Sequence, residues 1–305
     1  MPPAAVAPIE DRRTLGIGLV VLAQVFFTVL DTSAKWLAVA GIPVFETVFV
    51  RYLVPLVILL VVLLPSRGVA LFRSGNPRIA VFRGLCLAGV TICMFYGVQF
   101  LPLTVTGAIL FTMPLIVCAL SVPLLGEHVG WRRWIAIIVG FCGILIVVRP
   151  GSEAFHPAAL VCLAGAVFAA LYAILTRRLA GVDSASTQTI HAGAICLLCS
   201  APFAFNGWVW PSDPQTWAAF FLIGLGGLAG HQLVTIAYRF APPSVISPFS
   251  YIELVFLAFA SWLVFAQPAD VWFYLGAPVI IGSGLYIWLR ERRLQRPATP
   301  TPVAS

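Results

Sequence analysis

The chain has 305 residues, 61% of them hydrophobic and 10% charged, and its mean hydropathy is +1.01. No water-soluble globule of this length needs so much apolar surface for its cores, so the composition excludes a soluble enzyme or binding module and predicts an all-α integral membrane protein. The net charge of +7 is not a nucleic-acid signal, because the basic residues flank apolar runs, where they set membrane topology.

Residues 1–14 read as a cytoplasmic N-terminal segment. No small-residue cleavage site ends the first apolar run, which is therefore expected to stay as a helix. Runs of about 17 to 23 residues, enough to cross a bilayer core, lie at 15–37, 44–64, 79–99, 103–124, 132–148, 157–176, 187–206, 217–238, 244–265 and 271–289. Turn signals separate these ten spans, among them "GIP" at 41, "PSRG" at 65, "RPGSE" at 149, "PSDPQ" at 211 and "APPS" at 241. Residues 291–305 are basic and then rich in Pro and Thr, which predicts a disordered tail. Of the Lys and Arg residues, only Lys35 and Arg149 fall in loops on one side and Arg51 falls inside a span, while the others fall on the opposite side. Both termini are therefore expected in the cytoplasm of a bacterium, with the chain crossing the inner membrane many times. All seven cysteines lie in apolar runs, where they serve as small packing residues, and the C-x-x-C of Cys196 and Cys199 has no second ligand pair beside it.

The chain also aligns with itself at an offset of about 140 residues: "VVLAQVFFTVLD" (20–31) lies over "VCLAGAVFAALY" (161–172), and "QFLP" (99–102) over "RFAP" (239–242). Two five-helix repeats, 15–150 and 157–290, follow from that offset. Five is odd, so the second repeat enters from the opposite side, giving a 5+5 inverted repeat of the kind found in secondary transporters. The first repeat carries Leu101-Pro102, Ala108, Phe111, Pro114, Gly126-Glu127, Trp131, Gly140, Gly143 and Pro150. With ten spans as five plus five, this signature resembles the EamA-type branch of the drug/metabolite transporter superfamily. In the second half Ala266-Gln267 replaces the Gly-Glu pair and Leu254 the proline. The resemblance implies a proton-coupled or exchange-type carrier of small metabolites, with no cofactor and no metal. No G-x-x-x-x-G-K-[ST] loop for ATP is present.

Ionisable groups inside spans are costly and face a cavity or a partner. Asp31 and Lys35 share one helical face near the end of the first span, and Glu46 and Arg51 lie at comparable depth on the second. Two readings stand: Asp31, Lys35 and Arg51 close an outer gate with Glu46, or these side chains snorkel and brace two helices. Glu253, beside Tyr251, Ser247 and Ser250, is a lone carboxyl deep in the ninth span, suited to a proton or to a cationic or amide group of a substrate. His231 and Gln232 on the eighth span are the next polar candidates. Phe95 and Tyr96, Phe111, Phe168 and Tyr172 offer rings for a pocket, and Gln24, Thr28, Gln99 and Thr112 offer uncharged polar groups. His191 and Glu127 read as structural, and Pro114 as a kink in the fourth span. Gly140, Gly143, Gly282 and Gly284 form close-packing faces toward each other or toward a second protomer. The sequence thus predicts a secondary transporter of a small organic molecule, in contact with membrane lipid and with no nucleic-acid partner. The aromatic cavity with few charges favours uptake of a planar vitamin-like molecule such as riboflavin, and the alternative is export of amino acids, amines or another small metabolite.

Overall fold

The computed structural model describes residues 13–125, 130–153, 155–179, 182–237, 240 and 247–294. The N-terminal segment to residue 12, Gly126-Glu127, "APPS" and the end of the tail lie outside them, as do the side chains of Ser247 and residues 291–294. The described residues form helices α1 (Arg13–Val39), α2 (Val44–Arg67), α3 (Pro77–Phe100), α4 (Leu103–Leu110), α5 (Met113–Leu125), α6 (Trp131–Val148), α7 (Ala158–Leu179), α8 (Ala185–Ala204), α9 (Pro214–Ala237), α10 (Ile252–Phe265) and α11 (Val271–Leu294), with 3-10 turns at Gly68–Phe72 and Ser247–Tyr251. No strand occurs among them. Among the described residues nine segments are long and apolar enough to cross a membrane, α4 and α5 counting as one. The seventh expected span, α8, is long enough, but its first half "ASTQTIHAG" dilutes the apolar run.

The fourth span is broken. Phe111 and Thr112 form a turn between α4 and α5, and the cause is Pro114. It has no N–H to give the Leu110 carbonyl, yet it fits without cost in the first turn of a new helix. The buried Thr112 hydroxyl bonds the Ile109 carbonyl at 2.6 Å and seals the end of α4. At the other end of the bundle's first hairpin, α1 stops in a Schellman closure. Gly41 takes φ +79° while the Ile42 N–H reaches the Leu37 carbonyl at 2.9 Å.

Helices in lipid gain little from apolar burial between themselves, so small residues that admit close backbone approach decide which helices pair. The main pairings are α1 with α9, α3 with α7, α6 with α11, and α2 with α8. On α7, Cys162 and Gly165 pack against Gly97 and Cys93 of α3, and Ala159, Ala166 and Ala170 are buried beside them. The cysteines are free thiols; Cys142 is exposed, while Cys196 donates to the Gly84 carbonyl at 3.7 Å. Of the four glycines expected to form close-packing faces, Gly140 and Gly143 of α6 meet α11, while the two of α11 do not meet α6. Gly143 meets the Gly276 carbonyl and Ile280, and Gly140 meets Ser283 and Leu115. Gly284 leaves room for the Tyr251 hydroxyl, whereas Gly282 faces open space.

A Cβ at Gly276 would lie 2.6 Å from the Gly143 carbonyl oxygen and 2.5 Å from Val147. Backbone cannot yield as a side chain can, so G276L is expected to lower the melting temperature by roughly 5 °C or more, or to prevent folding. G282L, with nothing to strike, is expected to leave it unchanged. Scanning fluorimetry of the two purified proteins checks both.

Helix α9 begins at a side-chain cap. The Thr216 N–H and hydroxyl donate to the Asp213 carboxylate at 2.8 and 2.7 Å. These bonds, the hydroxyl's first, hold the Asp213 carboxyl below its ordinary value. A depressed carboxyl stabilises the folded end above the unfolded pKa, and the contribution disappears as pH falls through the lowered one. Amide exchange in the first turn of α9 is therefore expected to quicken below about pH 4, and to be fast at every pH in D213A.

Candidate functional site

Four ionisable side chains from four helices share one electrostatic neighbourhood. Asp31 on α1 lies in the field of Arg51 on α2, Glu253 on α10 in that of Asp31, and His231 on α9 in those of Arg51 and Arg83. None of them closes on another as an ion pair among the described residues. Arg51 lies instead 5.2 Å from the Tyr52 ring and 5.3 Å from the Phe95 ring, held where its charge faces π electrons rather than a carboxylate. Tyr52 is itself fixed by a 2.6 Å hydrogen bond between its hydroxyl and that of Thr91.

Local structure explains why Glu253 points into this region. The 3-10 turn Ser247–Tyr251 runs into α10, so Glu253 sits in that helix's first turn, where the helix dipole favours an anion. Its side chain is buried. Beside it, the Tyr251 ring lies 5.4 Å from Phe111, at the break between α4 and α5. His231 meets the Phe27 ring edge-on at 5.0 Å and is nonetheless exposed, as is Gln232. His231 thus lies at the accessible side of the group, within the fields of two arginines. The arrangement offers two carboxyls, a guanidinium and an imidazole, with rings between them. It suits a ligand bearing charges of both signs.

The other charges expected beside Asp31 turn elsewhere. Lys35 is buried, donates to the Leu101 carbonyl at 2.7 Å, and lies 5.5 Å from the Phe265 ring. Leu101 follows the last turn of α3, and its carbonyl has no helical partner, so the ammonium finds a stronger acceptor there than along its own helix. Glu46 is fully buried, accepts from the Val209 N–H at 2.9 Å and thereby pins the α8–α9 turn onto α2. Its second oxygen is buried with no hydrogen-bond partner. Trp36 adds a bond to Thr216 at 3.2 Å. The sequence-expected cluster is thus divided: Asp31 and Arg51 remain near each other, while Lys35 and Glu46 tie down turns at the end of the bundle.

The remaining candidates scatter. Phe95 is buried under Arg51, but Tyr96 is exposed and pairs with Phe100 at 5.1 Å. Gln24 is buried and bonds only back to the Val20 carbonyl at 3.3 Å, and Thr28 to the Gln24 carbonyl. Gln99 and Phe168 are exposed. His191 contacts the Phe72 carbonyl at 3.0 Å.

Tyr172 holds a residue, Arg83, that the sequence reading counted only among the basic residues of one side. Arg83 is buried, donates to the Tyr172 hydroxyl at 2.6 Å, to the Thr176 hydroxyl at 2.7 Å and to the Gln188 carbonyl at 2.9 Å, and lies 4.4 Å from the Tyr172 ring. It locks α3, α7 and α8 together at the end opposite Lys35. The signal was present in "IAVFRGLCLAGV", where Arg83 stands within the apolar run. No cluster of three or more His, Cys, Asp or Glu fit for a metal occurs among the described residues.

Apolar helices of spanning length around a group of ionisable side chains define an integral membrane protein. The profile of the EamA-like transporter family matches residues 14–149 and again 156–289, so the chain belongs to that family, within the drug/metabolite transporter superfamily. It is 28% identical over 280 residues to an S-adenosylmethionine uptake transporter of Rickettsia bellii, covering 92% of this chain and 95% of that one. It is 29% identical over 272 residues to a pseudopaline exporter of Pseudomonas aeruginosa, covering 89% and 95%. A riboflavin transporter of Vibrio cholerae is 27% identical over 284 residues, covering 90% and 93%. A solved structure described only as a crystal structure of a protein shares the fold with a TM-score of 0.62 at 20% identity, covering 94% of this chain and 99% of that one.

Proposed function

We propose that this transporter carries a small organic zwitterion with an additional cationic centre, of which S-adenosylmethionine is the type, by alternating access at the Asp31–Arg51–Glu253 site. The observation that carries the reading is that two carboxyls and a guanidinium share one field in mid-span without being neutralised by direct ion pairs. A resting site of this kind is costly unless a ligand completes it. A carboxylate of the substrate would meet Arg51, and its cationic groups Asp31 and Glu253. Proton movement or exchange for an internal metabolite supplies the coupling.

The same reading takes the chain as a 5+5 inverted repeat with both termini in the cytoplasm of a bacterium. The matching of one family profile to both halves supports it. So does the helix pairing: exchanging each span of one half for its counterpart in the other turns the α1–α9 pair into the α7–α3 pair and leaves α2–α8 and α6–α11 unchanged. Phe111 and Tyr251, equivalent at the repeat offset, touch at its centre.

Uptake of labelled S-adenosylmethionine into liposomes holding the purified protein tests the proposal. Saturable uptake, lost in D31N, is the expected result. A second reading, import of a neutral planar molecule such as riboflavin, is favoured by the Phe111–Tyr251 and Phe27–His231 ring pairs. Riboflavin accumulation by bacteria that neither make nor import it, without S-adenosylmethionine uptake and with D31N still active, would replace the first reading by the second.

A further inference from the structure

Helices α6 and α11 run antiparallel and close tightly at Gly143 and Gly276. Toward the start of α6 their outer faces leave a groove of about 460 Å3, within the range of roughly 300–1,000 Å3 typical of small-molecule sites. Its apolar walls are Ile135 and Val139 of α6, both exposed. The floor is Gly282, whose missing side chain leaves open space, with Ser283 turned onto the Ile280 carbonyl at 2.8 Å. The floor therefore makes no demand on a polar partner. At the end nearest the start of α6 stand Trp131, Tyr286 and Arg132, the guanidinium 5.4 Å from the Trp131 ring. From Trp131 to Val139 the helix rises about 12 Å, close to the thickness of one leaflet's hydrocarbon, roughly 15 Å.

We infer that this groove binds an anionic diacyl phospholipid, with one acyl chain along Ile135, Val139 and Gly282 and the phosphate at Arg132. Charge selects the occupant. An acyl chain alone is satisfied by the groove, but an exposed guanidinium held on an interfacial tryptophan at its mouth adds attraction for a negative headgroup. Charge weighs against a second copy of the chain, because a two-fold contact centred on the groove would bring Arg132 near its own counterpart.

Native mass spectrometry of the full chain, titrated in detergent with phosphatidylglycerol or phosphatidylcholine, tests the site. Phosphatidylglycerol is expected to bind more tightly than phosphatidylcholine. R132A should weaken it about fivefold, one basic residue's share of headgroup attraction. G282L, which fills the floor without touching the fold, should remove the tight adduct of either lipid. R78A, an exposed cation at the start of α3, should change nothing. Equal adducts in the parent protein, R132A and G282L would overturn the proposal. So would a lipid-independent dimer that G282L splits, which would give this face to a second protomer.

Discussion

E253Q is expected to lower substrate uptake at least tenfold while leaving the amount of protein in the membrane and its melting temperature unchanged. Glutamine keeps the volume of the buried side chain, and no hydrogen bond to another described residue is lost, so packing around α10 persists. What disappears is the second carboxyl beside Asp31, the group there that can take up and release a proton or receive a cation. If a cationic centre is held between the two carboxyls, or a proton moves through them, the loss falls on transport alone; a tenfold change corresponds to about 1.4 kcal/mol. D31N should act in the same direction, and the double variant should cost little more than either alone, because the two carboxyls work as one unit. Uptake by liposomes, normalised to inserted protein, is the measurement. Normal transport by E253Q would reduce the carboxyl to a packing residue and remove it from the site.

R83A is expected to act on stability first. The guanidinium makes three hydrogen bonds to two further helices in a buried setting. Truncation leaves the Tyr172 hydroxyl and the Gln188 carbonyl without that partner, a cost of about 2–4 kcal/mol. A melting temperature lower by roughly 5 °C or more follows. R83K tests the geometry. Lysine preserves the charge but not the planar fork that reaches three acceptors at once, so it should recover less than half of the loss. Y172F, which removes one of the three bonds, should cost about 1 kcal/mol. If R83A melts with the parent protein, the Arg83 contacts contribute nothing to holding α3, α7 and α8 together.

The spans were legible because composition and length suffice to define a bilayer helix, and the interruption of the fourth was legible in Pro114. Its partner feature was not. The ninth span carries Leu254 where the proline would be, and the 3-10 turn Ser247–Tyr251 has no comparably sharp signature. Asp31 and Arg51 were legible as charges inside the first two spans, and Asp31 lies in the field of Arg51. Charge partners were not readable, since Lys35 and one oxygen of Glu46 bond to backbone groups of turns far along the chain. A sequence shows which groups need partners; it does not show which loop ends will bring free carbonyls and N–H groups within reach. Arg83 was missed for a related reason: a cation a few residues into an apolar run looks like a topology marker until the tyrosine, threonine and carbonyl that receive it are seen together.

The contact between Gly143 and Gly276 has a practical side. Two backbones in van der Waals touch cannot slide without collision, so α6 and α11 form a fixed spine against which any rocking of the other helices is measured. Spin labels on the exposed residues Ile138 and Leu275, one on each member of that spine, should report one narrow distance whether substrate is present or absent. Labels on α1 and α7 provide the moving hands of the same clock.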